Sequence, residues 1–162
     1  MFIKAYGHLQ LKETNFTFYV HDFYGPNKTT ALVTGIAGQL WSFYSFGTIF
    51  VNDDPITTGP HKNSPQIGRA QGIYTVSSLD AVNSFIKNSF VFTNQKYNGS
   101  TLELQGRFFN LATLHETLGE VAIIGGTGKF RFASGFAMFD VFSYNAALLY
   151  SVLRCNITIL HY

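Results

Sequence analysis

A single cysteine, Cys155, stands in a chain of 162 residues, which excludes a disulfide within the chain and any metal site built on paired thiolates. Charge is nearly as scarce: Asp, Glu, Lys and Arg make up 12% of the residues, and 11 basic against 9 acidic side chains leave a net charge of +2 at pH 7. No run of Lys and Arg forms a stripe able to track phosphates, so nucleic acid is not an expected partner. No stretch has the length of an apolar membrane span, and membrane insertion is not expected either. Met1–Gln10 lacks the unbroken apolar segment of a secretory leader, which leaves the chain to be read as cytosolic or as a mature form given a new Met. The histidines at 8, 21, 61, 115 and 161 show no spacing that puts two ligands on one face, so neither a metal nor any other cofactor is expected. Helical periodicity is also lacking; only Ser78–Asn83 has helical or turn character.

What is abundant is aromatic. Phe occurs 17 times and Tyr 9 times, a composition suited to strands that are largely buried or enclose an apolar cavity. Asn15–Asp22 alternates, with Phe16, Phe18, Val20 and Asp22 on one face. Gly25-Pro26-Asn27 makes a turn, and Thr29–Thr34 and Phe46–Val51 read as the next strands. Lys96-Tyr97-Asn98-Gly99-Ser100 carries the Asn-Gly hairpin signal, so the β-rich Ser89–Thr93 should pair antiparallel with Thr101–Gly106. The strand that holds Tyr74 continues to about Ser77, with Tyr74 and Val76 on one face, and Glu120–Ile124, Phe130–Phe142 and Leu149–Tyr162 complete the set. About eight apolar strands with hairpin-length links need closure on themselves, which leaves no edges to protect. The expected fold is therefore all-β, an eight-stranded antiparallel barrel enclosing an apolar pocket. It forms a single domain over 15–162, preceded by a segment 1–14 that either adds a strand or stays disordered.

Asn52–Tyr74 reads as a long connection carrying unusual chemistry: Asp53-Asp54-Pro55, then Gly68-Arg69-Ala70-Gln71-Gly72-Ile73-Tyr74. The turn Gly125-Gly126-Thr127-Gly128-Lys129 fails the phosphate-loop pattern and is read as a tight glycine turn. Asp22 is either a strand-end carboxylate in water or one enclosed with Phe16, Phe18 and Val20, where lost hydration would raise its pKa toward proton-transfer range. Tyr74 is either an ordinary core tyrosine or a hydrogen-bond partner for a phenolic ligand. Arg131 shares its strand face with Ala133, Gly135 and Ala137, which leaves room for a ligand or an ion-pair partner. Cys155, on an apolar parity, is read as a small buried hydrophobe. Four Asn-x-Ser/Thr sequons, at Asn15, Asn27, Asn98 and Asn156, bear on secretion.

Taken together, His21-Asp22 with Gly25-Pro26-Asn27, the run from Phe46-Gly47-Thr48 to Asp53-Asp54-Pro55-Ile56-Thr57, Gly68–Tyr74, Tyr97–Leu102, Gly125–Arg131 and the terminal His161-Tyr162 resemble the plant dirigent proteins, in order, from Asn15 onward. The resemblance implies a barrel of the allene oxide cyclase type, secreted to the apoplast or cell wall, glycosylated and homotrimeric. It also implies a protein that oxidises nothing itself. Phenoxy radicals from a separate laccase or peroxidase are held in one orientation, and their coupling, or the cyclisation of a quinone methide, becomes stereoselective. Two alternatives come with it: a cofactor-free dehydratase or cyclase of the pterocarpan-forming type, and a non-catalytic phenolic binder of wall or defence function. By the same resemblance Asp22 and Tyr74 are the catalytic candidates, and Phe18, Val76, Phe108, Arg131 and Asp54 are expected to contact a small phenolic substrate. Asp53 and Asp54 would shape the pocket rim, with Arg69 bracing one of them. This chain departs from the pinoresinol-forming pattern at four places. It has Val76 for a second tyrosine, Gly106-Arg107-Phe108 where an aspartate stands, Gly119 for an arginine before Glu120, and Ser134 where an arginine is common.

Overall fold

The structure is a computed structural model and describes residues 10–25, 29–35, 42–110 and 117–162. Among these residues nine strands follow one another: β1 (Lys12–Phe23), β2 (Ala31–Gly35), β3 (Ile49–Thr57), β4 (Gln66–Val76), β5 (Asn83–Phe92), β6 (Thr101–Phe109), β7 (Thr117–Gly126), β8 (Ser134–Asn145) and β9 (Tyr150–His161). Every pairing is antiparallel, and the order β1-β9-β8-β7-β6-β5-β4-β3 closes where Tyr19 and Val20 of β1 meet Thr57 and Ile56 of β3. This closed ring is the expected eight-stranded barrel. The short β2 is a ninth strand that lies along the first half of β3, Ala31 opposite Asn52.

Three segments differ from the sequence expectation. Strand β1 begins at Lys12, and it pairs with β9 along its whole length, from Lys12 opposite His161 to Phe23 opposite Tyr150. Asn52-Asp53-Asp54-Pro55 is not a connection but the middle of β3, so the link to β4 shrinks to residues 58–65. Proline is tolerated there because β2 holds β3 only to Asn52 and β1 takes it up only at Ile56; between these, the edge away from β4 has no ladder at Pro55 to interrupt. Third, Phe130 does not open β8. Gly128–Phe130 is a single 3₁₀ turn, Phe132 has φ +64°, and β8 starts at Ser134.

Strand alternation puts even-numbered residues of β1 and β3 inside the barrel. The lower half, away from the Phe23 end of β1, is filled by rings. Phe16 lies edge-on to Tyr97 and Phe130 with centroids 5.6 Å apart in each case, and Phe18 lies edge-on to Phe90 at 5.0 Å. Phe92 and Phe130, at 5.4 Å, complete a continuous aromatic layer. β5 and β6 pair antiparallel as expected, but through a connection over residues 93–100 in which Gly99, not Asn98, takes a positive φ of +74°. Cys155 is fully buried among these apolar side chains.

Candidate functional site

Above the aromatic layer the inward-facing residues change character. Asp22 continues the apolar stripe of β1 and is 3% exposed, so the carboxylate lies inside the barrel. Asn52 and Asp54 occupy the corresponding face of β3, between Phe50 and Ile56, and both are buried. On β4 the same face carries Ala70, Gly72, Tyr74 and Val76. Asp22, Asn52, Asp54, Ala70 and Tyr74 surround a cavity of about 40 Å³, together with Asn88 and Phe108 and aliphatic side chains from β7 and β9. That volume accepts water. A phenolic ring enters only when the wall side chains move apart.

A hydrogen-bond chain crosses this space. The Tyr24 hydroxyl, two residues beyond Asp22, donates to Asp22 Oδ2 at 2.7 Å and is in turn bonded to the Tyr74 hydroxyl. The Tyr74 ring is fixed by stacking on Phe50 at 4.6 Å and by an edge contact with Phe108 at 6.2 Å. Beside it, Asn52 Nδ2 donates to Asp54 Oδ2 and to the Ala70 carbonyl, both at 3.0 Å.

Burial governs the protonation of the set. Asp22 is pushed up to about 7 by desolvation, with the Tyr24 hydrogen bond pulling the other way. Asp54 is raised well above the carboxylate range, first by burial and then by the charge of Asp22. Tyr24 and Tyr74 are also raised, again chiefly by burial and then by Asp22, and so stay neutral donors. Two carboxyl groups that oppose each other's ionisation pass through a singly ionised state, which sets an acid and a base in one cavity.

The other expected residues separate clearly. Phe108 lines the cavity; Phe18 and Val76 are buried in the barrel, Phe18 within the aromatic layer below it. Asp54 lies within the interior and not on the rim, because Asn52–Pro55 is strand and places Asp53 and Asp54 on opposite faces. Asp53 is outside, where Arg69 braces it in an ion pair and Gln71 donates to it at 3.0 Å. Arg131 is exposed and remote from the cavity. Its expected strand face does not exist, since the 3₁₀ turn and the positive φ of Phe132 break the alternation on which that face depended. Among the sequons, Asn98 is exposed on the β5–β6 turn and Asn27 lies outside the described residues. Asn15 and Asn156 sit on facing strands, where Thr158 donates to Asn15 at 2.7 Å and Thr17 to Asn156 at 2.9 Å.

Tyr24, Asn52 and Asn88 escaped the sequence reading, although each left a signal. Tyr24 extends the parity of Phe18, Val20 and Asp22; Asn52 interrupts the apolar face of β3 and Asn88 that of β5. Behind the site, His21 is held between the Tyr150 hydroxyl at 2.5 Å and Thr57 Oγ1 at 2.7 Å, and burial lowers its pKa, so it stays neutral. A larger cleft of about 440 Å³ opens at the other end of the barrel, beside Lys12, Lys96, Lys129 and His161. It lacks a carboxyl side chain among its lining residues, and the aromatic layer separates it from the Asp22 cavity. The buried acid-base set therefore marks the smaller cavity as the site. The Gly125–Lys129 turn borders this lower cleft as a structural turn, with the Lys129 amide donating to Ser100 Oγ at 3.1 Å.

The family model described as Dirigent-like protein matches residues 13–160. The chain is 34% identical over 157 residues to pterocarpan synthase 1 of Glycyrrhiza echinata, an alignment covering 96% of this chain and 82% of that protein. It is 38% identical over 151 residues to dirigent protein 11 of Arabidopsis thaliana, covering 93% and 75%. A solved structure of a pterocarpan synthase dirigent protein superposes with a TM-score of 0.85 at 32% identity, covering 97% of this chain and 89% of that one.

Proposed function

The chain belongs to the dirigent family, and on that premise we propose that it directs the stereochemistry of phenolic coupling or cyclisation in the Asp22 cavity, using radicals or quinone methides formed by a separate laccase or peroxidase. The observation that carries this reading is the buried chain Asp22–Tyr24–Tyr74 above the aromatic layer of the barrel. Two phenoxy radicals join their unpaired electrons in one carbon–carbon bond. In the quinone methide that results, a hydroxyl oxygen then adds to the exocyclic carbon, gives up its proton and returns the ring to a phenol. Such a step needs an apolar wall to orient the rings and one group that accepts a proton while another supplies one. Asp22 and Asp54 are suited to that exchange, and Tyr74 to orienting the phenolic oxygen.

A second reading is supported by the similarity to pterocarpan synthases. Here the protein acts on a closed-shell isoflavanol. A protonated carboxyl group delivers its proton to the leaving hydroxyl, the carbon–oxygen bond breaks and water departs. The phenolic proton passes to the ionised carboxylate, giving a quinone methide; a second hydroxyl then adds to its benzylic carbon and gives its proton to the carboxylate that acted first, while the other carboxyl group returns a proton to the ring oxygen.

One experiment separates these readings. Coniferyl alcohol with laccase, and an isoflavanol without any oxidase, are each incubated with the protein and with Asp22→Asn, and products are resolved by chiral chromatography. Enantiomeric excess in the first arm supports coupling; water loss in the second, abolished in Asp22→Asn, supports the dehydratase. Racemic coupling together with an unchanged isoflavanol sinks both and leaves a phenolic binder. The same proposal includes lignan-type metabolism, export to the apoplast and glycosylation, for which the exposed Asn98 on its hairpin turn is the best-placed acceptor. It also includes assembly as a homotrimer. Supporting that assembly, Leu32, Val51 and Ile73 are cross-strand neighbours on the outer face of β2, β3 and β4 and are 58%, 43% and 43% exposed.

A further inference from the structure

The cavity has a hydrogen-bonding imbalance that the proton chain does not account for. Four buried side-chain oxygens there have no partner: Asp22 Oδ1, Asn52 Oδ1, Asp54 Oδ1 and Asn88 Oδ1. Buried acceptors left unmet are costly, and the described residues hold only one other unmet buried side-chain atom, Ser151 Oγ, which does not line this cavity. Two of the four belong to carboxyl groups, whose donor or acceptor character changes with pH. The two carboxamide oxygens are acceptors at every pH.

Those two carboxamides are placed together by strand register. Asn52 of β3 is opposite Gly72 of β4, and Gly72 is opposite Asn88 of β5, so the three form one row across the inner wall. Gly72 is what makes the row a site. A Cβ at position 72 would lie 2.0 Å from Asn88 Oδ1, so the Asn88 oxygen occupies the space where β4 carries no side chain, leaning toward Asn52. The orientation of Asn52 is fixed independently: both of its amide protons are used, on Asp54 Oδ2 and on the Ala70 carbonyl, and Oδ1 is left as acceptor.

We propose that Asn52 and Asn88, flanking Gly72, form a hydroxyl-recognition pair that selects phenols carrying a free hydroxyl against their methyl ethers. The proposal rests on the phenolic reading of the cavity and adds to it the group that is read. A free hydroxyl brings the donor these oxygens lack. A methyl ether brings none and sets a methyl group against a buried acceptor, the situation in which sites discriminate most strongly. The pair is distinct from the Asp22–Tyr24–Tyr74 chain: it moves no proton, and it acts on which substrate is held and which way round.

The test is calorimetric binding of coniferyl alcohol, of a dihydroxyisoflavan, and of the corresponding phenolic methyl ethers, to the wild type, Asn88→Leu and Asn88→Asp. All three proteins are first matched for melting temperature and circular dichroism. The wild type is expected to bind at least one free phenol about tenfold or more tightly than its ether. Asn88→Leu should bring that ratio to within about twofold, and Asn88→Asp, which keeps an acceptor, should restore the preference. Equal binding of phenol and ether by the wild type, or a ratio unchanged in Asn88→Leu, overturns the recognition pair while leaving a phenolic cavity in place. Absence of binding by every phenol and ether overturns the phenolic reading itself, and the pair with it. If Asn88→Leu fails to fold, Asn52→Leu supplies the same ratio.

Discussion

At the scale of single residues, the energetics of this protein turn on a carboxyl group kept out of water. Asp22 titrates near 7 when folded and near 3.9 when unfolded. Below about pH 3.9 both states hold the proton. Between there and about 7 only the folded state does, so stability falls as pH rises, and above about 7 it levels off at its lower value. The accumulated loss is on the order of a few kcal/mol. Asp22→Asn should remove the Asp22 share of this slope, leaving that of Asp54, which burial also raises, and urea denaturation from pH 4 to 8 should find the variant more stable than the wild type at pH 8 even though the proposed proton transfer is lost. Tyr24→Phe acts differently. The hydroxyl that steadies the ionised form of Asp22 disappears, so the carboxyl pKa rises further and the acidic limb of the pH–rate profile should move above 7, with a rate loss of about 10²-fold and unchanged circular dichroism. Asp22 was legible because its parity among Phe16, Phe18 and Val20 can be read directly. Arg131 was misplaced because a 3₁₀ turn and one positive φ are not visible as a pattern of apolar residues.

Elements, not residues, decide what the cavity contains. The sequence suggested a loop across Asn52–Pro55 because proline and adjacent aspartates favour turns. The outcome was strand, because that proline falls in the gap between two partner strands, a fact of pairing that no local window contains. The consequence is functional, since only strand alternation turns Asp53 outward to Arg69 and Asp54 inward to the cavity. Strand β4 shows the same dependence. Gly72 was legible as part of a motif, yet its purpose is visible only once β5 is beside it. Gly72→Ala would bring a Cβ to 2.0 Å from Asn88 Oδ1 and 2.2 Å from the Lys87 carbonyl. Backbone as well as side chain must then shift, and a loss of about 1–3 kcal/mol is expected in urea unfolding. Gly125→Ala, where a Cβ meets nothing within 4 Å, is the control that should leave stability nearly unchanged.

For the molecule as a whole, aromatic abundance and the rhythm of hairpins were enough to read a closed barrel, because closure is the economical way to protect this many apolar strands. Assembly was not legible to the same degree; it depends on which outward residues adjoin, and adjacency across strands is a property of register. Leu32, Val51 and Ile73 form such a row. If that row is buried in a trimer, Val51→Lys should shift sedimentation from trimer to monomer while leaving the circular dichroism of the barrel intact. Retention of the trimer would place the contact elsewhere. The aromatic layer of Phe16, Phe92, Tyr97 and Phe130 has a kinetic counterpart. Among the described residues it seals the lower side of the proposed site, so a product formed there would have to leave by the way its substrate enters. Product should therefore compete with substrate for entry, and turnover should slow as product accumulates even while substrate remains plentiful.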